Sequence, residues 1–122
     1  MAKHKVGNIY TGVFDYEDKP EESKKRLILL TDIVGENSDI GLVTQITSQP
    51  PKEPPRYHDQ YKKPILKVAE YGLRKKSFVR VNKNSFVPLN ALTKPIGQMD
   101  DDEFQLFAIA IMKYIRENGM KH

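Results

Sequence analysis

Ile40 to Thr47 reads IGLVTQIT, and the chain runs on as SQPPKEPP to Pro55. Leu42, Val43 and Ile46 are core residues, and the run reads as a buried β-strand. Thr47, Ser48 and Gln49 end it with three hydrogen-bonding side chains, and four prolines follow. Two readings of this boundary stand side by side. It is an ordinary strand end, where Ser, Gln and Pro mark the exit into a loop. Or it is a site, where the strand carries a hydroxyl to the mouth of a barrel.

Working outward, the flanking segments are also strand-like. LILLT (Leu27 to Thr31) is continuously apolar, as a central strand buried on both faces requires. GNIYTGVFDY (Gly7 to Tyr16) alternates as a first strand. EDKPEESKK (Glu17 to Lys25) reads as a charged loop and VGENSD (Val34 to Asp39) as a turn. Residues 48 to 64 form a proline-rich loop of extended character. PILKVAEYG (Pro64 to Gly72) is expected to be a fourth strand and SFVRVN (Ser77 to Asn82) a fifth. NSFVPL and ALTKPIGQM supply one or two more short strands.

The period then changes. Across DDDEFQLFAIAIMKYIREN, Phe104, Phe107, Ala108, Ile111, Met112 and Ile115 recur at helical spacing. Asp100 with Glu103 matches a capping box, the acidic first turn suits the positive helix end, and Gly119 is a stop. Leu106 and Ile109 broaden the apolar face, which serves the core or an oligomer interface. Short strands with one terminal helix indicate a mainly β protein: a small antiparallel barrel with a C-terminal α-helix packed on it. The 122 residues fit a single domain, residues 1 to 122, without repeat or linker.

Composition narrows the function classes. The chain is 39% hydrophobic and 30% charged, as a soluble globular protein is. No apolar run is long enough to span a bilayer, and MAKHKVGNIY lacks the apolar stretch of a signal peptide. A cytoplasmic protein is expected, with no membrane partner. Without cysteine there is no disulfide framework and no zinc-thiolate site. The net charge of +4 hides an asymmetry: residues 56 to 85 carry nine basic and two acidic side chains. Such a segment binds a polyanion or an acidic partner, or is a solvated lysine-rich face.

Phosphate-loop, GxGxxG, HExxH and GxSxG motifs are absent. The three histidines, His4, His58 and His122, are far apart in sequence, and no metal or other cofactor is expected. The remaining chemistry rests on Arg, Thr, Ser, Tyr, Asn and carboxylates. That profile suits phosphodiester cleavage in RNA, where the 2′-hydroxyl is an internal nucleophile and the protein mainly positions the phosphate.

The ordered run GNIY, KKRLILLT, LVTQITSQ, YGLRKKSFVRVNK and KPIGQMDDDEF resembles the MazF/PemK (Kid-like) toxins of bacterial toxin–antitoxin pairs. The resemblance covers residues 6 to 116. It implies an SH3-like barrel, usually a homodimer, and a metal-independent endoribonuclease acting on single-stranded RNA. It also implies inhibition by an acidic antitoxin lying in the RNA groove, and no direct double-stranded DNA partner.

The resemblance makes Arg26 the phosphate-binding arginine at the start of the second strand, followed here by Leu27 where the family has proline. It makes Thr47, followed by Ser48, the threonine of the cleavage site. The Arg-x-Asp of some PemK-like members corresponds to Arg80, Val81 and Asn82, so an amide replaces a carboxylate that shuttles protons. The histidine that those members place in the first loop is missing. Catalysis is therefore assigned to Arg26 and Thr47, and substrate binding to Ser48, Gln49, Tyr57, Lys76, Arg80 and Asn82.

Each assignment has a plainer counterpart. Arg26 also reads as an edge arginine and Thr47 as a strand residue. Ser48 and Gln49 also read as loop caps. Arg80 and Asn82 share one strand face if the pleat is regular, whether that face meets RNA or solvent. Tyr57 and Tyr61, among Arg56, Lys62 and Lys63, suit base stacking or tuck against the barrel. The alternative from another class is a non-catalytic SH3-like barrel that binds RNA or a protein.

Overall fold

The Ile40–Thr47 stretch forms β3, and its two neighbours define the fold. In the computed structural model it pairs antiparallel with β2 (Lys19–Val34) on one side and β5 (Phe78–Pro88) on the other. The structure describes residues 4–16, 19–51 and 60–119, the side chains of 12–26 excepted. β1 (Asn8–Tyr16), β4 (Lys62–Pro64) and β6 (Gly97–Gln98) complete a six-stranded sheet in the order β4-β5-β3-β2-β1-β6. The sheet curls into a half-barrel, and helix α1 (Asp101–Asn118) follows it.

Both faces of the central strands are covered, as the unbroken apolar run of β2 predicts. Ile9, Leu29, Ile46, Val79 and Val81 point to one side, where Tyr71, Met99 and the Phe107 and Ile111 face of α1 complete the main core. Tyr10, Ile28, Leu30 and Val43 form a second, smaller cluster on the other side. Alternation along β1, β2 and β3 produces this division: consecutive residues enter opposite clusters.

Four local expectations give way. The charged segment before Arg26 is not a loop from Lys19 on: it belongs to β2, and β1 pairs with Ser23, Lys24 and Lys25 and again, across an irregularity, at Tyr16↔Lys19. Pro64 to Gly72 is not a strand. β4 ends at Pro64, and residues 67–72 turn, with Tyr71 N–H donating to Val68 O at 3.2 Å and Gly72 at φ +76°. The segments SFVRVN and NSFVPL form one strand, β5, because β3 pairs along both halves across an interruption. The capping box does not form: the Asp100 side chain makes no cap hydrogen bond, and Glu103 is engaged elsewhere. The Gly119 stop does form, with its N–H on Ile115 O at 2.7 Å and φ 73°.

Candidate functional site

The β2–β3 ladder ends at Leu27↔Ile46, and the β3–β5 ladder continues through Ile46↔Val79 to Thr47↔Phe78. Leu27, Ile46 and Val79 all meet the main core. The pleat therefore sends Thr47 and Phe78 to the opposite face, together with Gln45 two residues earlier and Arg80 two residues later. The side chains confirm the shared face: Arg80 Nη1 donates to Gln45 Oε1 at 3.3 Å. Arg26 precedes Leu27 and pairs with Gly12. One step past Leu27↔Ile46 on each strand, Arg26 and Thr47 occupy facing register positions. The Arg26 side chain lies outside the described ones.

Thr47 is 9% exposed, and its Oγ1 accepts the Gln49 N–H at 3.2 Å. This turn ends the strand, so the plainer reading of the boundary is physically correct. It also uses the hydroxyl only as an acceptor, which leaves its O–H to donate. Ser48 and Gln49 are exposed beside it.

β5 bends sharply next to this surface. Gln45 alone of β3 spans the gap between Thr44↔Asn84 and Ile46↔Val79. Asn84 holds the bend: its Nδ2 donates to Val81 O at 2.8 Å, and its Oδ1 accepts from Thr44 Oγ1 at 2.5 Å. The amide thus serves a carbonyl where the ladder is interrupted. The two β5 residues expected to share an open face differ in burial. Arg80 is half-buried and reaches Gln45, whereas Asn82 is 5% exposed within the bend.

Basic residues surround the strand end. Arg80 pairs with Lys62 of β4, and Lys63, Arg74, Lys75 and Lys76 are exposed on this part of the chain. Lys67 is committed differently: it pairs with Asp100, whose hydrogen bond and charge hold its ammonium above the ordinary lysine pKa. Tyr57, with Arg56 and His58, lies outside the described residues. No group of three or more His, Cys, Asp or Glu among the described residues is arranged to hold a metal. No helix among them is long and apolar enough to cross a membrane.

A cavity of about 300 Å³ opens beside the strand end, lined by Leu27, Ser48, Gly72, Leu73, Arg74, Lys75, Ser77 and Ile96. Its wall, the segment from Ile65 to Ser77, is fastened to the helix. Glu103, 5% exposed, accepts from Leu66 N–H at 2.5 Å and from the Tyr71 hydroxyl at 2.6 Å. The same hydroxyl accepts the Asp100 N–H at 3.2 Å, so Tyr71 takes the N-cap N–H that a capping box would give to the Glu103 carboxylate. Burial, then the bond to Glu103, pushes the Tyr71 phenol well above its ordinary pKa.

No family model matches the chain, and no curated protein matches it in sequence. Solved structures do. The Mycobacterium tuberculosis toxin MazF-mt6 superposes with a TM-score of 0.59 at 20% identity, over 89% of this chain and 96% of that one. A second structure, of an Mtb toxin, gives a TM-score of 0.52 at 20% identity, over 73% of this chain and 91% of that one. The fold is the MazF fold.

The MazF fold accounts for the strand order and the terminal helix, and the register adds what the sequence reading missed. Gln45 went unnamed although a signal existed, since it lies two residues before Thr47 on a regular strand. The Tyr71–Glu103 tie was not, because the two residues are 32 apart and Glu103 also satisfies a capping pattern.

Proposed function

We propose that the protein is a toxin of the MazF/PemK type, an endoribonuclease that cuts single-stranded RNA without a metal ion. One observation carries this reading: strand register sets Arg26 and Thr47 at facing positions where the β2–β3 ladder ends, beside Gln45 and Arg80. Arg26 binds the non-bridging oxygens of the scissile phosphate through its planar guanidinium. Thr47 donates its hydroxyl to the same phosphate and fixes the in-line geometry. Arg80, Lys76, Ser48, Gln49 and Tyr57 hold the flanking nucleotides, and half-buried Phe78 offers a ring on the Thr47 face.

The RNA 2′-oxygen attacks phosphorus and loses its proton, while the bond to the 5′-oxygen breaks and that oxygen gains one. The products are a 2′,3′-cyclic phosphate and a 5′-hydroxyl. Asn82 in the β5 bend supplies neither a carboxylate nor an exposed amide to this surface. That favours the simpler Arg and Thr scheme over an Arg-x-Asp one. It is also the observation on which the rival stands, a barrel that binds RNA or a protein without cutting.

The partners follow from the same reading: an acidic antitoxin for the basic strand end, and a second copy of the chain. Leu106, Ile109 and Met112 form an outward apolar row on α1, 63%, 67% and 49% exposed, which supports a homodimer. A cytoplasmic location suits an enzyme acting on mRNA. The test is cleavage of single-stranded RNA by the purified protein in EDTA, with binding but no cutting as the result that favours the rival.

A further inference from the structure

We infer that the cavity beside the strand end is a subsite for one nucleotide next to the scissile phosphate. It seats the base between Leu27, Leu73 and Ile96, and the adjoining phosphate on Arg74 and Lys75. The inference rests on the nuclease reading above and adds a place for the base.

The cavity and the Thr47 surface meet at the end of β3. Leu27 and Ser48 line the cavity, and each is one residue from a proposed catalytic position, Arg26 and Thr47. Leu27 and Thr47 belong to opposite faces of the sheet. β3 ends at Thr47, however, and the next residue, Ser48, lines the cavity, so the end of the strand is where the two faces meet. A nucleotide whose phosphate lies at Thr47 can therefore place its base over the strand end into the cavity.

The lining fits that ligand chemically. Three aliphatic side chains form an apolar wall, two cations stand at the loop, and no carboxylate is among the described lining residues. A neutral, flat base gains from the apolar wall, and an anionic phosphate gains from Arg74 and Lys75. Ser77 donates its hydroxyl to Lys75 O at 3.0 Å, which braces the cationic turn. The loop is also rigid at its root: Tyr71 is tied to Glu103, and Gly97 of β6 packs directly on the Tyr71 carbonyl. A wall held this way is pre-shaped before RNA arrives.

The roles separate by residue. Ile96 is 44% exposed, so shortening it alters the cavity with little cost to the fold. Arg74 and Lys75 are exposed and act on any phosphate. The experiment uses wild type, Ile96→Ala and Arg74→Ala/Lys75→Ala, with unchanged melting temperatures as the folding control. Binding is measured on a random single-stranded oligonucleotide pool carrying 2′-O-methyl groups, which block cutting. Cut-site sequences come from the matching unmodified RNA pool.

Ile96→Ala is expected to weaken binding about fivefold and to flatten base preference at one position of the cut site. The double variant is expected to weaken all sequences alike by about tenfold or more and to reduce the salt dependence of binding. Wild-type binding and cutting with both variants within twofold of wild type would overturn the subsite and leave the nuclease reading standing. A wild type that neither binds nor cuts would overturn both.

Discussion

Arg80 Nη1 donates to Gln45 Oε1 at 3.3 Å across the bend in β5, on the face of the sheet that carries Thr47. Gln45 therefore holds a guanidinium beside the strand end, and the β5 bend lets it do so. On the proposed function, truncating the arginine would remove a charge from bound RNA, and truncating the glutamine would only loosen its placement. Arg80→Ala is expected to raise KM about tenfold with a small change in kcat. Gln45→Ala should show a weaker effect of the same kind. Steady-state cleavage of one defined RNA at two salt concentrations checks both.

Glu103 and Tyr71 tie the helix start to the loop that walls the cavity. Glu103→Ala strips an acceptor from both Leu66 N–H and the Tyr71 hydroxyl inside the protein. A loss of about 2 kcal/mol or more is expected, and urea unfolding measures it. Glu103→Gln keeps the shape and should lose less.

Tyr71 and Tyr10 give the stability curve an alkaline limb. Burial raises both phenols above their ordinary value of 10.0. The unfolded chain thus releases these protons at a lower pH than the native protein. The stabilisation is fully present below pH 10 and is lost as pH climbs toward the raised native values. Unfolding free energy is expected to fall steadily above about pH 10, and less steeply in Tyr71→Phe. Urea titrations from pH 8 to 11 provide the readout.

Gly97 is a packing requirement. A Cβ there would lie 2.1 Å from the Tyr71 carbonyl oxygen, a backbone atom that the Tyr71 ties hold in place. Gly97→Ala is expected to cost about 3 kcal/mol or more, measured by thermal melting, whereas a change at exposed Gly119, with open space around it, acts only through its backbone angle.

The fold was largely legible because its central strands advertise themselves. LILLT is apolar on consecutive residues, and Ile28, Leu29 and Leu30 are buried on alternating faces. The helix read well for the same reason, since Phe107 and Ile111 fall on its buried side, although Met112 of the same stripe is 49% exposed. What stayed hidden was long-range. The early part of β2 is charged, and only pairing with β1 makes it a strand. The β5 bend depends on Thr44 and Asn84, 40 residues apart, so no local pattern marks Asn82 as buried. Glu103 was read as a local cap because that pattern is short, while its true partners sit in a distant loop. Of the site, the Thr47 boundary was visible in sequence, and its neighbours Gln45 and Phe78 emerged from register.

The central claim is that Arg26 and Thr47 act together on one phosphodiester, and product analysis tests it most directly. Purified wild type, Arg26→Ala and Thr47→Ala would each be incubated with a defined single-stranded RNA in EDTA, and the new ends identified by mass spectrometry. Wild type is expected to leave 2′,3′-cyclic phosphate and 5′-hydroxyl ends, with each variant slower by about 100-fold. Undiminished cutting by both variants, or products ending in 3′-hydroxyl and 5′-phosphate, would contradict the account.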